Sequence, residues 1–80
     1  MSSTNRRILQ LLSKRDMTTM EVFKELSQNG PAYRQSVHKA LQKMKDAGLV
    51  SKYYDDEAKV FRYHLHKERI EVDFKRMTTE

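Results

Sequence analysis

The sequence has no cysteine, no tryptophan, only one proline and two glycines, and no apolar run long enough to cross a bilayer. Without cysteine, a disulfide framework and a thiolate zinc site are both excluded. A membrane-spanning helix needs about 20 apolar residues, and the apolar part of the N-terminal segment is too short for a signal peptide. Two glycines are too few for a phosphate-cradling loop. We therefore expect an intracellular, cytoplasmic protein that makes no use of a membrane.

The length of the chain limits its architecture. Eighty residues correspond to one domain. A domain of this size buries only about 60% of the surface that its unfolded chain exposes. We therefore predict a single domain over residues 1–80, with a small core that dimerisation would help to cover.

Positive charge is concentrated in the middle of the sequence. The net charge is +5 at pH 7. Residues 31–54 hold five basic side chains and one acidic side chain, whereas residues 55–80 hold six basic and seven acidic ones. A clustered positive field attracts polyanions at long range. This distribution favours a nucleic acid as the partner, and a solvated basic face is the simpler alternative.

The pattern of apolar residues predicts three helices before a break at Gly48. The first helix runs from about residue 4 to residue 14. The second begins after Thr18, which has the capping-box spacing to Glu21. The third spans about 32–47, and Gly48 is the expected left-handed terminator.

The third predicted helix has one apolar side and one polar side. At 100° per residue, the apolar arc contains Tyr33, Val37, Ala40, Leu41, Met44 and Ala47. The opposite side contains Gln35, His38, Lys39, Gln42 and Asp46, and the flanks contain Arg34, Ser36, Lys43 and Lys45. Such a helix packs on one side and presents amides and ammonium groups on the other.

Two strands are predicted after this helix, over residues 49–54 and 60–65. Residues 55–59, with three carboxylates, form the turn between them. Alternation along the second strand predicts that Phe61, Tyr63 and Leu65 face the core, and Tyr54 on the first strand is expected to be exposed.

The segment 67–80 fits two structures. Ile70, Phe74 and Met77 have helical spacing, whereas Ile70, Val72 and Phe74 have strand spacing. The helix formers at 67–69 favour a helix. Because one small domain offers little core to cover this apolar segment, we predict that Ile70, Phe74 and Met77 form a dimer interface.

The sequence resembles the winged helix-turn-helix superfamily of DNA-binding regulators. The resemblance lies in the predicted order of helix, helix, turn, helix and hairpin, and in residues 36–50. Residues 36–44 (SVHKALQKM) and 45–50 (KDAGLV) are similar to the recognition helix of that superfamily and to its Gly-Leu-Val step into the wing. The resemblance covers about 5–65 and is closest to small prokaryotic and archaeal regulators of the MarR and ArsR kind.

The resemblance implies an α+β winged helix-turn-helix fold. It has three helices, a two- or three-stranded antiparallel wing, and a C-terminal helix or strand for dimerisation. The implied function is that of a sequence-specific, double-stranded DNA-binding transcriptional regulator, a dimeric repressor associated with the nucleoid. The third helix would enter the major groove, and the wing would lie on the flanking backbone.

The resemblance also implies which residues touch DNA. They are Arg34, Gln35, Ser36, His38, Lys39, Gln42 and Lys43 on the helix and Lys52, Lys59 and Arg62 on the wing. Lysines on the flanks suit phosphates, glutamine amides suit adenine, and arginine suits guanine. The carboxylates of Asp55, Asp56 and Glu57 repel phosphate at the tip of the wing. Lys59 and Arg62 are therefore the better wing contacts.

Two other classes of function remain as alternatives. A winged helix also serves as a protein-protein interaction module in larger assemblies, and an acidic wing tip fits a protein partner. A metal-dependent sensor or a small enzyme is the third class, because His64 and His66 share one strand face and Glu68 stands nearby. Since no convincing third ligand and no nucleophile-base pair are visible, we predict no metal, no cofactor, no small-molecule ligand and no enzymatic activity.

Overall fold

A computed structural model describes residues 3–67, in which three α-helices are followed by an antiparallel hairpin. The elements are α1 (Ser3–Lys14), α2 (Thr19–Ser27), α3 (Arg34–Asp46), β1 (Val50–Asp55) and β2 (Val60–Leu65). The predicted α+β class and the order of its elements are confirmed. The predicted interface residues Ile70, Phe74 and Met77 lie outside the described residues.

Helix α2 begins with the predicted capping box. The side-chain oxygen of Thr18 accepts a hydrogen bond from the backbone N–H of Glu21 at 3.0 Å. Oε1 of Glu21 accepts one from the backbone N–H of Thr18 at 2.9 Å. Because the first N–H groups of a helix lack partners within it, these two bonds stabilise the start of α2, and a cap of this kind contributes about 1 kcal/mol.

Helix α3 begins later than predicted, at Arg34. Tyr33 is the N-cap residue, with extended backbone, and its side chain is 71% exposed. The prediction that Tyr33 belongs to the apolar arc is therefore wrong. The physical reason is that Tyr33 lies outside the helix. Because its backbone is extended, its side chain does not share the inward side of Val37 and Leu41.

The predicted stop at the end of α3 is confirmed. Gly48 has a φ of +77°, in the left-handed region that glycine adopts without strain. Its N–H donates to the carbonyl of Lys45 at 3.0 Å, and the N–H of Leu49 donates to the carbonyl of Met44 at 2.9 Å. This is the Schellman arrangement. It turns the chain so that Val50 enters the core directly as the first residue of β1.

The hairpin gains one further backbone pair from the segment between α1 and α2. In β1 and β2, Lys52 lies opposite Tyr63 and Tyr53 lies opposite Arg62. On the other side of β2, the N–H of Tyr63 donates to the carbonyl of Met17 at 2.8 Å, and the N–H of Met17 donates to the carbonyl of Tyr63 at 3.3 Å. The sheet is thus two-stranded, and Met17 extends it by one pair.

The core lies between the three helices and the base of the hairpin. Its buried side chains are Ile8, Leu12, Met17, Val22, Leu26, Val37, Leu41, Met44, Val50, Tyr63 and Leu65. Tyr63 and Leu65 are buried as predicted, but the prediction for Phe61 is wrong, because its side chain is 54% exposed. Phe61 shares a sheet face with Tyr63, yet it lies where the hairpin has extended past the core. No helix within residues 3–67 is long and apolar enough to cross a membrane.

Candidate nucleic-acid interface

One side of α3 is held outward because the other side is fixed in the core. Val37, Leu41 and Met44 are buried on the inner side. The exposed predicted contacts of the helix are Arg34, Gln35, Ser36, His38, Lys39 and Lys43, and Lys45 is also exposed. The helical spacing therefore brings the predicted amide, hydroxyl and basic groups to the surface together.

Gln42 is less accessible than its place on the helix predicted. Its side chain is half-buried, and its Oε1 is covered and has no hydrogen-bond partner within the described part of the chain. Recognition of adenine by glutamine uses the amide oxygen and the amide nitrogen together. Gln35 is exposed, so Gln35 is the better placed of the two glutamines.

The positive charge of α3 is not neutralised by ion pairs within residues 3–67. The three ion pairs of this region join Arg15 or Arg62 to carboxylates, and His64 contacts the carboxylate of Asp16. None of these contacts includes a side chain of α3. Arg34 stacks over the ring of Phe23, with 5.9 Å from its guanidinium carbon to the ring centroid. Within residues 3–67, the exposed side of α3 therefore carries basic groups that no carboxylate pairs with, and a polyanion could bind them.

The hairpin adds two exposed lysines, of which Lys52 lies beside an aromatic surface. Nζ of Lys52 lies 4.7 Å from the ring centroid of Phe61, a distance at which a cation is attracted to the face of a ring. The rings of Phe61 and Tyr54 meet edge to face at 5.1 Å, and Tyr54 is 48% exposed, as expected. Lys59 is exposed at the end of the turn, with a φ of +58°.

The turn of the hairpin uses one of its three carboxylates for its own structure. Oδ1 of Asp55 accepts hydrogen bonds from the backbone N–H groups of Glu57 and Ala58, at 3.0 and 3.1 Å. Oδ2 of Asp55 accepts one from Nε of Arg62 at 2.8 Å. Asp56 and Glu57 are exposed. The acidic surface at the tip is therefore formed by two carboxylates rather than three.

Arg62 is placed differently from the other predicted wing contacts. Its Nη1 donates to Oε1 of Glu21 at 2.8 Å, while its Nε donates to Asp55. Its side chain is 22% exposed. Oε2 of Glu21 accepts a further bond from Nη1 of Arg15 at 3.0 Å. The guanidinium of Arg62 thus joins the hairpin to the start of α2. Lys52 and Lys59 are exposed and have no carboxylate partner within residues 3–67.

A second set of contacts joins the hairpin to the segment between α1 and α2. The hydroxyl of Tyr53 donates to Oδ2 of Asp16 at 2.6 Å, and Nδ1 of His64 lies 2.8 Å from Oδ1 of the same carboxylate. The rings of His64 and His66 are 5.8 Å apart. Among the described residues, no group of three or more His, Cys, Asp or Glu side chains has the arrangement of a metal site.

The sequence patterns did not identify Asp16 and Glu21 as partners of the hairpin. Alternation along β2 places Arg62 and His64 on the side that faces away from Tyr63 and Leu65, which indicates polar surroundings. The partners of Arg62 and His64 lie 41 and 48 residues away in sequence. Local spacing carries no information at that distance.

The pKa values of these carboxylates are lowered by their hydrogen bonds. The backbone N–H of Thr18, and then Arg15, lowers the pKa of Glu21. The hydrogen bond from Arg62 lowers the pKa of Asp55, and the same bond raises the pKa of Arg62. Burial alone would raise the pKa of Asp16, but the bonds from Tyr53 and His64 outweigh it, so the net pKa is lowered. All three carboxylates are thus stabilised in the charged form.

We expect acid to destabilise the fold through these carboxylates. A group with a lowered pKa contributes stability above its unfolded value, which is about 4 for Asp and Glu, and loses that contribution as the pH falls through the folded value. The Asp16→Asn variant should therefore have a lower Tm than the unmodified protein at pH 7, and the difference should shrink towards zero at about pH 2–3. Thermal unfolding followed by circular dichroism between pH 2 and 7 measures both quantities. A difference that stays constant over this range would contradict the role of Asp16.

Comparison with known proteins identifies the fold. No family model matches the sequence, and no curated protein matches it. The complex structure of hsRosR-S4 matches with 21% identity and a TM-score of 0.78, covering 98% of this chain and 70% of that chain. A PadR family transcription regulator from hypervirulent Clostridium difficile R20291 matches with 20% identity and a TM-score of 0.77, covering 95% of this chain and 85% of that one.

A third structure gives the same result. A transcriptional regulator from Clostridium thermocellum matches with 20% identity and a TM-score of 0.75, covering 96% of this chain and 84% of that one. The predicted winged helix-turn-helix fold is confirmed. Helices α2 and α3 form the helix-turn-helix, and the hairpin of residues 50–65 is the wing.

Proposed function

We propose that this protein is a transcriptional regulator that binds double-stranded DNA sequence-specifically. In this proposal α3 enters the major groove and the wing lies on the flanking backbone. The observation that carries the proposal is the outward side of α3, where the basic side chains have no ion-pair partner within residues 3–67. Lys52 and Lys59 of the wing are also exposed and would supply positive charge for the flanking backbone.

The residues of this surface have two kinds of role. Lysines contribute affinity and salt dependence through phosphates but carry no sequence information. The phosphate contacts we propose are Lys39, Lys43, Lys45, Lys52 and Lys59. Arg34 and Gln35 have the donor and acceptor patterns for guanine and adenine. Ser36 and His38 can bond to a base edge or to a phosphate.

We also propose that the protein acts as a dimeric repressor. A two-fold dimer places two recognition helices on half-sites about one helical turn apart, roughly 10 base pairs. Ile70, Phe74 and Met77 stay the predicted interface, on the strength of their spacing in the sequence. A protein of this kind acts on DNA in the cytoplasm, at the nucleoid.

Selection of bound duplexes from a random pool tests the proposal. We expect the selected sequences to converge on a site with two related halves, and footprinting should protect both halves on one face of the duplex. Amide shifts recorded during titration with the selected duplex should be largest in α3 and in the wing. If no sequence is enriched and α3 shows no shifts, the proposed function is wrong.

A protein-interaction module remains the second candidate function. The exposed rings of Tyr54 and Phe61 and the carboxylates of Asp56 and Glu57 favour it, since this mixed aromatic and acidic surface suits a protein better than a phosphate backbone. Amide shifts on addition of a partner protein that are confined to these wing residues, with α3 unaffected by DNA, would support the second candidate over the first.

A further inference from the structure

The outer half of the wing, residues 52–62, extends beyond the part of the hairpin that the core fixes. Val50, Tyr63 and Leu65 are buried at the base, and the backbone pair between Met17 and Tyr63 holds β2 there. Further out, on the same side of the sheet, Tyr54 and Phe61 are about half exposed. Packing therefore determines where the wing begins but constrains its outer half much less.

The contacts of Arg62 supply a link at this point. Nη1 of Arg62 donates to Glu21 in the first turn of α2, and Nε donates to Asp55 at the start of the turn, both at 2.8 Å. We infer that Arg62 is a positioning residue, which fixes the angle of the outer wing to the helix-turn-helix and thereby raises DNA affinity without touching DNA. This inference rests on the proposed function for its effect on affinity, but not for its effect on the wing.

Each end of this link is itself fixed. Glu21 is held by the capping box, because its Oε1 also accepts the backbone N–H of Thr18 at 2.9 Å. Asp55 is held by the turn, because its other oxygen accepts the backbone N–H groups of Glu57 and Ala58. The guanidinium is planar and its donors have a fixed geometry. A displacement of the wing tip relative to α2 would therefore break at least one of these bonds.

The surroundings of Arg62 argue against a role as a phosphate ligand. Arg15, Glu21, Arg62 and Asp55 form a line of alternating charges, joined by contacts of 2.8 to 3.0 Å. The two positive and two negative charges cancel, so the line adds no net attraction to a polyanion. The side chain of Arg62 is also shielded, unlike those of Lys52 and Lys59.

The contact of Tyr53 with Asp16 is a second link, which joins the wing to the segment between α1 and α2. Loss of Arg62 should therefore loosen the outer wing rather than release it. If the binding-competent orientation falls to about a tenth of the population, the apparent affinity falls about tenfold. That is the effect we expect for Arg62→Gln.

Salt dependence separates positioning from phosphate contact. Affinity for the selected duplex is measured at several salt concentrations for the unmodified protein and for the Arg62→Gln, Arg62→Lys and Lys52→Gln variants. Lys52→Gln should lower the slope of log affinity against log salt by about 0.9. Arg62→Gln should weaken binding about tenfold with the slope unchanged. Arg62→Lys should not restore affinity, because a single ammonium cannot reproduce the fixed geometry in which Nε donates to Asp55 and Nη1 donates to Glu21. A reduced slope for Arg62→Gln, or full rescue by lysine, would overturn the inference.

Neutralising the partners of Arg62 gives a second test, because the two explanations predict opposite changes in DNA affinity. Removing a carboxylate near DNA raises affinity if only the net charge matters. Glu21→Gln, which keeps a capping-box residue, and Asp55→Asn, which keeps the turn-capping oxygen, should instead lower affinity, since each removes one end of the link. The Glu21→Gln/Arg62→Gln double variant should bind about as well as Arg62→Gln alone. Higher affinity in either single variant would contradict positioning.

The free protein provides a measurement that does not involve DNA. Residual dipolar couplings of the wing amides, fitted together with those of α1–α3, report the orientation of the wing. They should fit one rigid arrangement in the unmodified protein and should show averaging of residues 52–62 in Arg62→Gln. Unchanged couplings would overturn the inference whatever the DNA result. Averaged couplings in a protein that binds no duplex would support the positioning of the wing by Arg62 and would show that the proposed function is wrong.

Discussion

Replacing Lys39 and Lys43 together by glutamine is expected to lower the affinity for duplex DNA about 60-fold at about 0.1 M salt. Each phosphate contact contributes about 0.9 to the slope of log affinity against log salt. Two lost contacts therefore lower the slope by about 1.8, which amounts to nearly two orders of magnitude at this salt concentration. Both side chains are exposed on α3, so the fold should be retained. Fluorescence anisotropy with a labelled duplex, repeated at several salt concentrations, measures affinity and slope together.

The matched control removes two positive charges from another surface. Arg6 and Lys14 are exposed on α1, and their replacement by glutamine gives the same net charge as the double variant of α3. Affinity should fall much less in this control, because neither side chain belongs to the proposed contacts on α3 and the wing, and charges outside the contact surface are partly screened at this ionic strength. Equal losses in the two double variants would mean that binding follows net charge alone, and placement of α3 in the groove would be contradicted.

The second large effect is on the fold itself. Leu41→Ala is expected to lower the free energy of unfolding by about 2–5 kcal/mol, which is typical for a leucine truncated in a close-packed core. Leu41 is fully buried on the inner side of α3. In a domain of this size each kcal/mol corresponds to about 4–8 °C in Tm, so the Tm should fall by about 10 °C or more. Denaturant and thermal unfolding followed by circular dichroism measure the change.

Leu11→Ala is the control for this truncation. It removes the same atoms from α1, where Leu11 is only partly buried against the core. Its loss of stability should be clearly smaller, because the remaining cavity is open to water. DNA affinity should fall in Leu41→Ala at temperatures where part of the protein is unfolded, since α3 then loses its support. A loss of less than about 1 kcal/mol for Leu41→Ala would contradict the placement of this side chain in the core.

Local patterns in the sequence predicted most of the fold. Thr18 and Glu21 form the capping box that their spacing indicates, and Gly48 has the positive φ expected at the end of a helix. Val37 and Leu41 are buried as the helical period predicts. These features depend on residues within a few positions of one another, which is the range over which periodicity and capping act.

The predictions that failed needed information about the ends of the core. Alternation correctly placed Phe61 on the face of Tyr63 but could not show that the helices no longer cover it there. The helical period was continued to Tyr33, one residue before α3 begins. Gln42 was expected on the open side of α3 and is half-buried. In each case the local pattern held, but tertiary packing decides where along the element the core begins and ends.

Only part of the proposed interface could be predicted, because local patterns do not show contacts between distant residues. The exposed groups of α3 follow from its period, whereas the pairing of Arg62 with Glu21 joins residues 41 positions apart. Arg62 has the residue type and the location of a wing contact. Its two carboxylate partners and its smaller exposure distinguish it from Lys52 and Lys59. Charge counted along a sequence does not show which cations are already neutralised.

The link between Arg62, Glu21 and Asp55 lies on the surface of the protein rather than in its interior. If Arg62 positions the wing, an exchange at one of these positions changes how firmly the outer wing is oriented, while Leu41, Tyr63 and their neighbours keep their packing. In the proposed DNA complex, one or two substitutions at these surface positions would therefore change how the wing meets the duplex, without a compensating change in the hydrophobic interior.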